Sequence, residues 1–379
     1  MTLPLDERLL DDPDALAAAD SRGTLLALAL AGAQVREAAT LAAEADVARV
    51  ADDGRPRAVV LAALGGSAAV GDLLTALAGP GAPVPVQAVR TNTLPGWVGP
   101  VDLVVAVSLS GRAEGPLAVA AEAARRGCRL LTVGAAGSPL ADVTARARGI
   151  HVPTGRGLLS SRSSIWALSV PVLLAAHALS LIELPDAGLQ EAGAVLDDVA
   201  ERSRPSSEIF VNPAKSLAVD LAGSLPLVLG EGPFAGAAAV RAAAELARSA
   251  RHPAVHGILP DDATTVVATF DGPFARGDDD VFADPFADEQ PRTSRLRLLL
   301  LRDDQADPDT RQVADVVRDT ATSSGVMVDE LAATGDHPLA RIAGLVALTD
   351  FASTYLALGA GLDPATSRHV AELREGTAR

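Results

Sequence analysis

A chain of 379 residues is long enough for two domains of roughly 150–200 residues each, with sizeable cores. Its net charge of −16, with no basic patch to interrupt it, excludes a surface for nucleic acid or an anionic membrane, and neither partner is expected. The hydrophobic fraction is 49% while aromatics supply only 3%, so Ala, Val and Leu must build the cores, a composition suited to helices packed on buried parallel strands. Lys215 is the only lysine, so any mechanism that needs an ammonium elsewhere must use arginine or do without. The single cysteine, Cys128, cannot close an intrachain disulfide, and its setting "RRGCRLLTV" at a strand entrance reads as a small buried hydrophobe. The expected cofactor set is empty, and no metal is expected.

In chain order, "MTLPLDERLLDD" has neither a basic n-region nor an apolar h-region, so a secretory signal is not expected and the reading is cytoplasmic. The first strand is "RAVVLAAL" (57–64). It breaks on Gly65-Gly66-Ser67 and continues as a helix. Two glycines without Cβ atoms, a hydroxyl and the free N–H groups of a helix start suit an oxyanion such as phosphate, although a tight strand-to-helix turn needs glycine for backbone reasons too. Strands follow at 84–90, 101–108, 129–133 and 149–153, with Ala-rich amphipathic stretches between several of them. This alternation predicts right-handed crossovers and a doubly wound parallel sheet. Where the strand 101–108 ends, "SLSGRAEG" offers the hydroxyls of Ser108 and Ser110 beside backbone amides; these suit phosphate oxygens, or equally a turn and a helix cap.

The segment "IWALSVPVLLAAHALSLI" (165–182) is about one membrane span long by the hydropathy rule, but Pro171, His177 and its serines interrupt it. A buried core helix is expected, with His177 a core histidine. The first domain is therefore expected over 1–182 with leading helices, a connector over 183–208, and a second domain over 209–379. The second half repeats the grammar: a strand in "SLPLVLG", a turn at Gly230 and Gly232, and a long helix. Further strands are expected at "TTVVATF" (264–270), 295–301 and 326–331, and helices around 309–323, 338–358 and 364–375. Between the first two of those strands, the acidic stretch 271–294 reads as a mobile surface excursion, although a loop of this length can also be a lid.

Taken together, "ALGGSAAVGDLL" and "VVAVSLSGRAEGPL" resemble the two loops with which sugar isomerase (SIS) domains embrace a phosphosugar. More narrowly the chain resembles the bifunctional phosphoglucose/phosphomannose isomerase family, which carries two SIS domains. "VRTNTLPGWVGPVDLVVAVS" follows the family's spacing, "GLLSSRSSIWALSVPVLL" resembles the segment bearing a substrate-binding arginine, here Arg162, and "LARIAGLVALTDFASTYLALGAGLDP" fits its long helix. The first loop departs once, with Ala63 where the family has glycine. The resemblance implies an α/β protein of two SIS-type domains, a hexose phosphate held by Gly65, Gly66, Ser67, Ser108, Ser110 and Arg162, and a homodimer.

The catalytic positions depart from the family. Aligned on Pro253-Ala254 and Leu259-Pro260, the acidic base falls at Arg248 and the ring-opening histidine at Thr264; the C-terminal lysine falls at Arg374. Aldose–ketose interconversion removes a proton beside a carbonyl and returns it to the neighbouring carbon, work for a carboxylate or imidazole that an always-protonated arginine cannot do. Glu245, one turn before Arg248, is the candidate replacement, unless it is simply ion-paired with Arg241 or Arg248; His252 and His256 are further candidates, or ordinary loop histidines. Two functions stay open at this stage: a sugar-phosphate-binding protein whose turnover is weak or lost, and an active isomerase using relocated acid–base residues.

Overall fold

The computed structural model of the chain describes residues 5–275 and 295–377. Most of the acidic excursion expected at 271–294 lies outside the described residues, as does the side chain of Arg374. The chain divides into two compact units, one of Leu30–Asp197 with Gly335–Ala340, the other of Met1–Ala29, Asp198–Thr334 and Arg341–Arg379.

The first unit holds five parallel strands, β1 (Val59–Ala63), β2 (Val86–Val89), β3 (Leu103–Ser108), β4 (Arg129–Gly134) and β5 (Ile150–Pro153), ordered β2-β1-β3-β4-β5. Every residue of β1 and β3 is buried, as strands covered on both faces require, and this is why they read as unbroken apolar runs. Val60, Ala62, Val104 and Ala106 point to one face, where Val119, Ala120 and Leu140 of the helices Glu114–Arg125 and Pro139–Arg146 meet them. On the other face the helix Ala69–Ala78 packs with Ile165–Ala178, the membrane-like segment, which is buried from Ile165 to Leu173. Cys128 is buried. His177 corrects an expectation: it is exposed, and its Nδ1 accepts the Leu184 N–H at 3.2 Å, closing the turn after the helix.

Among its described residues the second unit has four parallel strands, β6 (Ser224–Glu231), β7 (Val255–Leu259), β8 (Arg295–Arg302) and β9 (Met327–Ala332), ordered β7-β6-β8-β9. "TTVVATF" is not one of them. It forms a helix over Ala263–Val267 and a 3-10 turn over Ala268–Asp271, and the strand beside β6 is the preceding β7. The β-branched run misleads because burial decides: Val266 and Phe270, four apart, both enter the core, which is a helical spacing, and the Pro260 carbonyl and Asp262 carboxylate take the Ala263 and Ile258 N–H groups to turn the chain. The helix expected at 364–375 runs over Arg368–Thr377, because the Asp363 carboxylate first holds a turn through Ala365 N–H and the Thr366 hydroxyl.

Residues before Leu30, adjacent in sequence to the first sheet, group with the second. Asp6 N–H donates to the Gly359 carbonyl at 2.8 Å, the Ser21 hydroxyl to Asp363, and Ile209 N–H to the Asp11 carboxylate. Nearby, Lys215 is wholly buried. Its ammonium donates to the Pro205 and Ser207 carbonyls at 2.8 and 2.7 Å and lies 5.5 Å over the Tyr355 ring, whose hydroxyl donates to the Ser203 carbonyl. Of the described helices one, Pro338–Gly359, is long and apolar enough to cross a membrane, and 94% of its apolar window is buried.

Each unit contains a half-buried histidine whose pKa is pulled below the ordinary value of 6.5 by desolvation, His151 in the first and His252 in the second. Folding thus favours the neutral rings. The unfolded chain takes up protons first as pH falls through about 6.5, so this contribution to stability is full above that value and declines below it. Urea midpoints are expected to be lower at mildly acidic than at neutral pH, and the difference should shrink in a His151→Asn, His252→Asn double variant.

Candidate functional site at the ends of β1 and β3

In the order β2-β1-β3-β4-β5 the chain leaves β1 toward one edge and β3 toward the other, so the loops at their carboxyl ends part and leave a crevice. The two strands are paired up to Ala63 opposite Val107, which sets both loops at one height. After Leu64, Gly65 takes φ +61°, a conformation that side chains resist, and Gly65–Ser67 make one 3-10 turn that runs into the helix Ala69–Ala78. The first amides of that helix have no side-chain cap.

Across the crevice the chain leaves β3 through a turn in which Gly111, at φ +61°, donates its N–H to the Ser108 carbonyl. The buried Ser108 hydroxyl accepts the Ala113 N–H, and the exposed Ser110 hydroxyl accepts the Arg112 N–H, each at 3.3 Å. Accepting engages a lone pair and leaves each O–H proton to donate, so the turn-forming and ligand-holding readings of these serines are compatible. The helix Glu114–Arg125 starts against the β1 loop: a Cβ on Gly115 would lie 2.2 Å from Leu64 Cδ1.

Arg162 is brought to the same place from far along the chain. A Cβ on Gly66 would fall 2.6 Å from the Ser161 hydroxyl and 2.8 Å from Arg162 Cγ, so the missing side chain of Gly66 is what admits this segment. Gln34 Nε2 donates to the Ser163 carbonyl at 2.9 Å, and Ser160 and Ser163 hydroxyls meet at 3.1 Å. The expected ligand-holding residues therefore converge: the Gly65-Gly66-Ser67 turn against Arg162, with Ser108 and Ser110 on the neighbouring strand end. Sequence reasoning missed Ser161, although the serine density of "SSRSS" was a visible signal.

The positions expected to carry acid–base chemistry lie in the second unit. Glu245 is buried on the helix Gly232–Ser249; the Ser249 hydroxyl donates to it at 3.0 Å and Arg241 stands 4.0 Å away. Arg241 in turn forks onto Asp350 at 2.7 and 3.1 Å, both residues buried. This is the ion-paired arrangement left open above. Arg248 is half-buried on the same helix, His256 is exposed on β7, and Thr264 is exposed on the helix Ala263–Val267. Among the described residues no group of three or more His, Cys, Asp or Glu side chains is placed to hold a metal ion.

Residues 210–376 match the family described as the bacterial phospho-glucose isomerase C-terminal SIS domain. A bifunctional phosphoglucose/phosphomannose isomerase of Caldicellulosiruptor bescii is 26% identical over 302 residues, 79% of this chain and 83% of that one. A hypothetical protein of Thermus thermophilus superposes with a TM-score of 0.68 at 14% identity over 99% of each chain. A glucose-6-phosphate isomerase of Chlamydia trachomatis superposes at 0.66 and 12% identity, over 100% of this chain and 86% of that one. At these identities the structural likeness is one of fold.

Parallel sheets flanked by helices, with glycine and serine loops at a strand-order reversal in the first, make this an α/β protein whose residues 210–376 match an SIS domain. Within that class the chain is related to the phosphoglucose/phosphomannose isomerases and resembles their bifunctional members.

Proposed function

We propose that the chain binds a hexose 6-phosphate in the crevice between β1 and β3, and that its turnover is weak or lost. The observation that carries the binding half is the convergence of Gly65-Gly66-Ser67, the Ser108–Ser110 loop and Arg162 at one strand-order reversal. Helix-start amides, hydroxyl protons and a guanidinium fork are the donors a phosphate dianion needs. The turnover half rests on chemistry. Arg248 and Thr264 stand where the resemblance implies a carboxylate and an imidazole, and neither takes a proton from carbon at neutral pH.

The second reading, an active glucose or mannose 6-phosphate isomerase with Glu245 or His256 as a relocated base, is favoured by the 26% identity over most of the chain. Against it, Glu245 is held by Ser249 and faced by Arg241. An isomerase assay on both sugar phosphates separates the readings: robust parental turnover sinks the first.

Ser110→Ala is expected to weaken glucose 6-phosphate binding by about 1.5–3 kcal/mol, the range for hydrogen bonds to charged groups. Calorimetry giving equal affinities would place the ligand elsewhere. Arg248→Glu combined with Thr264→His is expected to gain isomerase activity that neither change gives alone, because each proton transfer contributes roughly 10²–10⁴-fold. Equal, negligible activity in all three variants would count against the alignment of these positions. We also assign the protein to the cytoplasm as a homodimer, with exposed Phe210 and Val211 among its apolar surface. Light scattering at micromolar concentration should then return twice the chain mass, and a monomer mass would refute the assignment.

A further inference from the structure

The second sheet has the same reversal. In the order β7-β6-β8-β9 the strands that part are β6 and β8, and the elements that make an oxyanion seat at such a point are all present there. The long helix Gly232–Ser249 begins directly at the end of β6, with Gly232 at φ +74° as the counterpart of Gly65. From the end of β8 come the guanidinium of Arg302 and the backbone N–H of Asp303.

These donors already hold an anion. Glu231, the last residue of β6, is 1% exposed, and its Oε2 accepts from Arg302 Nε at 2.8 Å and from Asp303 N–H at 3.0 Å. The same carboxylate stands at the amino end of the helix Gly232–Ser249, where the peptide dipoles favour negative charge. Its other oxygen, Oε1, is buried and meets no hydrogen-bond partner among the described residues, so the seat surrounds the carboxylate without matching all of it. The loop after β8 closes over the top: Asp303 is buried with its carboxylate 3.0 Å from Arg341 Nε, and a Cβ on Gly232 would lie 3.5 Å from Ala306 Cβ. Arg302 is fixed from its other side by Glu330 at 2.8 Å and Asp315 at 3.0 Å, which leaves its Nε aimed at Glu231.

We propose that the second sheet carries a small-oxyanion seat at the β6–β8 reversal, and that the carboxylate of Glu231 permanently occupies it as an internal ligand. The first sheet then offers its crevice to solvent while the second fills its own. Emptying the seat should expose it to a small external carboxylate, of which formate is the minimal case.

The test is chemical rescue. Glu231→Ala is expected to unfold at a lower temperature than the parent, and its midpoint should rise with the logarithm of formate concentration beyond the effect of chloride at equal ionic strength. The parent, its seat filled, should respond to formate and chloride alike. Arg302→Met added to Glu231→Ala should remove the rescue, since the guanidinium is the main donor. If Glu231→Ala does not fold unaided, refolding yields in formate and in chloride are compared instead, and a higher yield in formate supports the seat. Equal behaviour of Glu231→Ala in the two salts, by midpoint or by refolding yield, would overturn the proposal, and so would rescue that persists without Arg302.

Discussion

The constraint on which the rest of this structure depends is the reversal of strand order within a parallel sheet. Every strand in a parallel sheet delivers its chain to the same edge, but only where two neighbours send it in opposite directions do the loops part. In the first sheet that happens between β1 and β3, with the helix Ala69–Ala78 on one face and Glu114–Arg125 on the other. The glycines serve this geometry. Gly65 lets the chain turn sharply into a helix, Gly66 admits the Ser161-Arg162 segment, and Gly115 lets the second helix start against Leu64. At Gly66 and Gly115 a single methyl group would push one wall of the crevice away from another.

The same constraint explains which parts of the molecule were legible in the sequence. Strands covered on both faces must be apolar throughout, so "VVLAA" and "LVVAVS" announced themselves, as did the glycine and serine loops that follow them. β7 did not. As an edge strand it exposes Val255, His256 and Ile258, so its composition carries no strand signal, while the β-branched residues of the helix after it supply a false one. The contact of Gly66 with Arg162 was suggested only by family resemblance, since spacing along the chain says nothing about which distant segment a bare Cα will meet. The role of Glu231 was hidden for a different reason. "GEGP" reads as a Gly-x-Gly turn, but Gly230 lies within β6, where a Cβ would fall 2.2 Å from Gly236 N, and only Gly232 turns.

Electrostatics in this chain is arranged around arginines that hold carboxylates. Arg57 grips Asp102 through two nitrogens, and although burial opposes the charge, that grip and the Gly99 N–H keep the Asp102 carboxyl below its ordinary value. Arg241 with Asp350, Arg302 with Glu231 and Arg341 with Asp303 repeat the theme in the second unit. Guanidinium groups are permanent charges, so these pairs fix geometry and take no part in proton traffic. A carboxylate held this way is a poor general base for the same reason that it is a good structural element: its partner stabilises the charged form and lowers its appetite for a proton.

The one lysine stands apart from this pattern. Lys215 is wholly enclosed, with its ammonium on the Pro205 and Ser207 carbonyls, and burial draws its pKa down. The folded surface therefore presents arginine guanidinium groups but no lysine amine. Reagents and modifying enzymes that need a lysine nucleophile, such as active-ester labels or acetyl donors, find this side chain only when the packing around Tyr355 and the segment 203–212 opens. The appearance of an acylated Lys215 would thus time the opening of this region.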